Sequence, residues 1–192
     1  MEWTDAAAAE QARKGDQHAF RVLVERHSHA VFRLAYRMTG NEQDAEDLVQ
    51  ETFLRAYKQI RRFDGRAAFT TWLYRICANC SIDLIRARKN RKEQPPPPAS
   101  DDGNWHWLDQ VATREPSPER LMQSGQISDL LGSGLKELTE TERTAFILRH
   151  YEGCDMDEIA CILGVQTNAA KHSVFRAVQK LRRVLEPAWR TR

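Results

Sequence analysis

The stretch DMDEIACILGVQTNAAKHSVFRAVQKLRRVL, Asp155 to Leu185, carries the plainest architectural signal in the chain. It reads as a short helix ending at Leu163, a glycine turn at Gly164-Val165, and a longer helix from Thr167 onward, the spacing of a helix-turn-helix. Met156, Ile159, Ala160 and Leu163 give the first helix an apolar stripe, with Cys161 at its packed boundary and Cys154 exposed beside the Gly153 turn. Ala170, Val174, Ala177, Leu181 and Leu185 give the second helix its own stripe. The opposite face of that helix collects Asn168, Lys171, His172, Phe175, Arg176, Gln179 and Arg183. Cations, amides and a ring on one surface suit phosphates and base edges, although a helical hairpin with a merely solvated face would look similar.

Working toward the N-terminus, residues 44–60 on a helix place Ala45, Val49, Thr52 and Ala56 on one side, flanked by Leu48, Phe53 and Ile60. The other side carries Asp47, Gln50, Glu51, Leu54 and Lys58, an acidic and polar surface with a leucine in its middle that has no partner on its own helix. This is either a solvated face with a stray apolar residue or a docking face for a partner helix. From Thr71 to about Lys89, Leu73, Ile76, Cys77, Cys80 and Leu84 form a core stripe. Cys77 and Cys80 thus read as small core residues, not as half of a metal set. Trp72, Arg75, Asn79, Asp83 and Arg86 share the opposite face and lead into the basic run ending at Lys92, again a surface suited to stacking and phosphate pairing. Phe63, in the Phe63-Asp64-Gly65-Arg66 connection, is open to two readings, core anchor or exposed stacking platform.

Both halves show the three- and four-residue apolar spacing of helices and no alternating β-branched runs, so the fold class is all-α. The strongest punctuation is Pro95 to Pro98 followed by Ala-Ser-Asp-Asp-Gly-Asn, which no helix can continue. A flexible linker is expected over 94–116, containing Trp105 and Trp107, and a new helix begins at Ser117-Pro118-Glu119. Two small helical domains, 1–93 and 117–192, each with a modest core, follow from this division. A formal net charge of +2 over 192 residues means that attraction to nucleic acid depends on where the basic residues sit. No apolar run suits a membrane span, and the acidic, alanine-rich start is unlike a signal peptide, so a cytoplasmic protein with reduced thiols and no membrane insertion is expected.

With these segments in place, the chain resembles the extracytoplasmic-function group of the bacterial sigma-70 family. Asp44-Ala-Glu-Asp47 through Gln50-Glu51-Thr-Phe53-Leu54-Arg-Ala-Tyr57 looks like the family's polymerase-docking helix, and Phe69-Thr-Thr-Trp72-Leu-Tyr-Arg75-Ile like its promoter-melting segment. Leu138 to Arg149, Tyr151-Glu-Gly and the Asp155–Leu185 helix pair look like its upstream-element reader. The resemblance implies that Asp47, Gln50, Glu51 and Leu54 bind core RNA polymerase. It implies further that Phe63, Trp72, Arg75, Asn79 and Arg86 bind the opened −10 element, and that Lys171, His172, Phe175 and Arg176 enter the major groove at −35. The partners so implied are core polymerase, promoter DNA and an anti-sigma factor. Where the family often has Gly-Thr-Val and a further arginine, this chain has Asn168-Ala169-Ala170 and Ser173, leaving Thr167 or Asn168 to cap the helix and one DNA contact missing.

No cofactor, metal or catalytic residue is expected. A dimetal site on Asp44, Glu46, Asp47 and Glu51 would require Glu-x-x-His pairs, and no histidine has a glutamate three residues before it. A free-standing helix-turn-helix regulator that binds duplex DNA without polymerase is the alternative; it leaves the acidic helix and the Trp72–Arg86 face without work.

Overall fold

The structure, a computed structural model, describes residues 3–91 and 131–190. The linker with Trp105 and Trp107, and the helix start at Ser117-Pro118, lie outside the described residues. Among the described residues all regular structure is helical, in the order α1 (Asp5–Arg13), α2 (Gln17–Thr39), α3 (Glu42–Gln59), a 3-10 turn (Ile60–Arg62) and α4 (Phe69–Arg91). After the linker come α5 (131–137), α6 (Glu140–His150), α7 (Met156–Leu163) and α8 (Thr167–Arg190).

Local chemistry sets most of these boundaries. Asp16 starts α2 by accepting the His18 and Ala19 amides at 2.8 and 3.2 Å. Gly40 ends the same helix in the left-handed region at φ 70°, and Asn41 at once caps α3 by accepting the Asp44 amide at 2.9 Å. Thr139 with Glu142 and Asp155 with Glu158 form reciprocal capping boxes at the starts of α6 and α7. Gly164, at φ 66°, makes the turn into α8. Thr167 already belongs to α8, and its hydroxyl donates to Asp157 at 2.7 Å, so it ties the two helices of the motif together and is not the cap the sequence suggested.

The apolar stripes read from the sequence face inward, with differences. On α7 the buried residues are Ile159, Ala160 and Ile162, while Met156 and Leu163 are only half-buried and Cys161 is exposed. The reason is tertiary: this short helix is covered by α4 as well as by α8, so its buried side is rotated toward Ile162. Cys154, expected to be exposed, is buried because the loop folds under α6, its amide donating to the Leu148 carbonyl at 2.9 Å. Ser173 is buried too, its hydroxyl donating to the Ala169 carbonyl at 3.0 Å. Position 173 therefore faces the core and lies off the exposed face of α8 that carries Lys171, His172, Phe175 and Arg176.

The main apolar cluster is continuous across the two helical regions. Leu23, Val31, Leu34, Met38 and Leu73 from α2 and α4 pack in one body with Ile147, Leu148, Ile159 and Ile162 from α6 and α7. A separate modest core for each half was the expectation; the larger shared cluster withdraws more apolar surface from water, at about 25 cal/mol per Å². A second, small cluster of Leu135, Leu138, Ala177 and Leu181 fastens α5 to α8.

Glu142 anchors α6 to α8 as well as capping its own helix. Its carboxylate accepts from Lys180 at 2.6 Å and from the Thr139 amide at 3.1 Å. Burial opposes its ionisation, but the Lys180 and Thr139 hydrogen bonds outweigh that and hold the carboxyl below its ordinary value of 4.5. As pH falls, the unfolded chain therefore takes up this proton before the folded one. The stability the carboxylate contributes is complete above 4.5 and is lost as pH drops through the folded value. Glu142→Gln is expected to lower unfolding stability by about 1–2 kcal/mol at pH 7. In urea titrations the gap to wild type should close as the pH is taken down toward 3.

Candidate nucleic-acid and protein interfaces

Three helices each combine a buried stripe with an exposed face bearing the residues singled out above. On α3, Asp47, Gln50 and Leu54 are exposed and Glu51 half-exposed, with Leu54 at 49 %. Glu51 is paired along the helix with Arg55 at 2.5 Å. Tyr57, one turn beyond Leu54, is 47 % exposed and rests edge-on against Phe20, ring centroids 5.0 Å apart. The sequence reading left Tyr57 without a role, yet its i,i+3 spacing from Leu54 was the available signal. A shallow groove of about 590 Å³ runs beside this face between α2 and α3, lined by His29, Phe32, Val49 and Gln50 among others. An apolar pair beside a groove and ringed by acids is the chemistry of a protein contact, with the apolar residues supplying affinity and the charges orientation.

On α4, Arg75, Asn79, Asp83 and Arg86 are exposed and Trp72 is half-buried. Phe63 is buried at 7 %, which decides between its two readings in favour of the core. It forms an aromatic cluster with Phe69 and Trp72, centroids 5.7 and 5.2 Å away, that fixes the orientation of the indole. Phe63 also lines a cleft of about 530 Å³ whose opposite wall is α1, through Asp5, Glu10 and Arg13. The sequence reading missed this wall, because the alanine-rich α1 carries no motif. Part of the basic run is already committed: Arg88 grips the buried Asp44 carboxylate with both terminal nitrogens. That pairing fixes the end of α4 to the start of α3 and takes Asp44 out of any metal set. Among the described residues no three His, Cys, Asp or Glu side chains gather as metal ligands.

On α8, Asn168, Lys171, His172, Phe175 and Arg176 are all exposed, Phe175 at 61 %. An outward phenylalanine on a helix whose stripe of Ala170, Val174, Ala177 and Leu181 is buried stands ready for an apolar contact. Arg176 lies 3.6 Å from Glu142 and is 63 % exposed, so its guanidinium is anchored on one side while its outer edge stays open.

The four cysteines are free thiols. Burial pushes the Cys77 and Cys154 thiols up to about 12 and also raises Cys80. Cys161 is the exposed one.

Residues 23–91 match the Sigma-70 region 2 family and residues 128–181 the Sigma-70, region 4 family. The chain is 33 % identical to the RNA polymerase sigma-H factor of Pseudomonas aeruginosa over 186 residues, 97 % of this chain and 96 % of the relative. It is 33 % identical to the ECF RNA polymerase sigma factor SigW of Bacillus subtilis over 96 % of this chain and 98 % of the relative. The solved structure of CnrH in complex with the cytosolic domain of CnrY is similar at TM-score 0.68 and 28 % identity, covering 95 % of this chain and 97 % of that one. The chain belongs to the sigma-70 family. Its likeness to ECF relatives over nearly their whole length makes it an ECF sigma factor, a transcription initiation factor and not an enzyme.

Thiol reactivity follows thiolate character and access. Native protein titrated with an aromatic disulfide reagent at pH 8 is expected to release one equivalent rapidly, from Cys161, and the remaining three only on unfolding. A Cys161→Ser variant should show no fast phase.

Proposed function

We propose that the three exposed faces divide the work of promoter opening among them. Asp47, Gln50, Glu51 and Leu54 on α3 dock on core RNA polymerase, and Tyr57 extends the apolar part of that contact. Trp72, Arg75, Asn79 and Arg86 on α4 hold the non-template strand of the −10 element, with Phe63 supporting the indole from below. Unstacked bases have free π-faces and hydrogen-bonding edges, so an aromatic ring, an amide and cations on one face can offset the few kcal/mol that strand separation costs. Lys171, His172, Phe175 and Arg176 on α8 enter the major groove at −35. The domains divide as residues 1–93, a linker over 94–116, and 117–192, so that the two DNA-binding faces sit on separate units.

The observation that carries this reading is that Leu54, Asn79 and Phe175 stand outward from three different helices, each of which turns an apolar stripe into the core. A free-standing duplex-binding regulator would use α8 alone. The protein acts in the cytoplasm, where its polymerase is, and among the described residues no helix is long and apolar enough to cross a membrane. An anti-sigma factor holds it inactive; the similarity to CnrH, solved with the cytosolic domain of CnrY, supports such a partner.

In transcription from a genomic template, core polymerase with the wild-type chain should acquire new start sites. Leu54→Asp is expected to weaken polymerase binding tenfold or more, since it places a charge at the centre of the contact. Asn79→Ala should bind polymerase normally but accumulate closed complexes in permanganate footprints. Phe175→Ala should cost roughly tenfold in promoter affinity. If core polymerase neither binds the chain nor gains start sites, the regulator reading takes over.

A further inference from the structure

α8 carries two cations one turn apart at the border of its exposed face, Arg176 and the half-buried Lys180. Four residues apart on a helix, like charges repel. The fold brings one carboxylate within reach of both: Glu142 of α6, whose side chain is 5 % exposed. Its Oε1 lies 3.6 Å from Arg176 Nε, and its Oε2 accepts from Lys180 Nζ at 2.6 Å and from the Thr139 amide at 3.1 Å. The Thr139 hydroxyl accepts the Glu142 amide at 3.3 Å in return, so the start of α6 fixes the carboxylate independently of α8. Ala177 and Leu181 of α8, packed with Leu135, Leu138 and Phe146, hold the two helices in this register.

A long cationic side chain on a DNA-facing helix has two uses. It can follow any phosphate, which attracts every sequence alike, or it can be held in one orientation and read a base edge. Which use prevails depends on how far the planar head of the arginine is restrained, because ordering a free side chain costs entropy on binding. Pairing through Nε restrains the Arg176 head and leaves its terminal edge, whose two parallel N–H bonds match the acceptor pair of a guanine in the major groove. The carboxylate also subtracts charge from this side of α8, which weakens attraction to phosphates in general. Lys180, a compact charge without a fork, is drawn to the other oxygen and away from the backbone of any bound duplex. We infer that Glu142 is a positioning residue for promoter reading: without touching DNA itself, it turns the charge of Arg176 and Lys180 from indiscriminate phosphate attraction into base selectivity. This inference rests on the reading of α8 as the −35 face.

The test uses the full chain bound to core polymerase and two kinds of duplex. One carries the −35 element of a promoter mapped from its start sites, intact or with one base pair changed at a time; the other is a scrambled sequence. Selectivity is the ratio of affinities for the intact and changed elements. Glu142→Gln keeps the length and hydrogen-bonding capacity of the side chain and removes its charge. It is expected to bind the scrambled duplex about threefold more tightly, with a salt slope steeper by about one for each cation released. It should also lose about tenfold in selectivity at one base position. The same substitution in an Arg176→Ala background should cost no further selectivity, a coupling that a merely stabilising role for Glu142 would not produce. Glu142→Asp, which keeps the charge but draws it back by one methylene, should fall between wild type and Glu142→Gln. It decides the matter if Glu142→Gln loses its helical circular dichroism at the assay temperature. Unchanged selectivity in the folded variants, or a loss that adds in full to that of Arg176→Ala, would overturn the positioning role and leave α8 as the −35 reader. If Arg176→Ala itself alters neither affinity nor selectivity, the reading of α8 falls and the positioning role falls with it.

Discussion

Burial of Arg37 and Glu152 against each other is the constraint around which the two helical regions are arranged. Neither charge is tolerable alone in a low-dielectric interior, and each is carried by a different region. Arg37 lies in the last turn of α2, where a cation also suits the helix dipole, and Glu152 lies in the turn between α6 and α7. Gly153, at φ 71°, lets the chain reverse so that Glu152 meets α2 while Asp155, three residues on, caps α7. Met38, Leu73, Ile147 and Ile159 belong to the apolar cluster the two regions share, and the pair itself is almost fully withdrawn from the water that would weaken it.

α4 is the element through which the two regions communicate. One of its sides supplies Leu73, Cys77 and Cys80 to the core, Thr71 and Tyr74 reach the second region, and Arg75, Asn79 and Arg86 remain on the surface. Its far end is held by the Arg88–Asp44 pair, which couples it to the start of α3. A helix so restrained can present its exposed face with little loss of entropy on binding, because the aromatic cluster of Phe63, Phe69 and Trp72 has already fixed the indole.

The amphipathic periodicity of residues 44–60 and 71–89 placed the main buried stripes and the charged outward positions, because a helix face repeats every 3.6 residues, but it did not reach Asp44, Thr71, Tyr74 and Ser81, which are buried by neighbouring helices. The short α7 was less legible. Eight residues give barely two turns, and a helix covered from two directions buries a wider arc than its pattern shows, so Ile162 was missed and Cys161 was placed too far inward. Phe63 was undecidable for a related reason: a residue in a connection has no periodicity to orient it, and only the packing of Phe69 and Trp72 places it. The α1 wall of the cleft was invisible because scattered charges such as Asp5, Glu10 and Arg13 on an alanine-rich helix form no motif until the fold sets them opposite Phe63.

By itself the sequence determined the all-helical class, the helix-turn-helix with its turn at Gly164, and the exposed sides of α3, α4 and α8. These depend on local spacing and short-range hydrogen bonds, which are written in consecutive residues. Only the tertiary structure decided that the two regions share one core, that Ser173 and Cys154 face inward, and that Glu152 meets Arg37 across 115 positions of chain. Pairings between distant residues are set by how whole helices pack, and no local pattern in either segment encodes its partner.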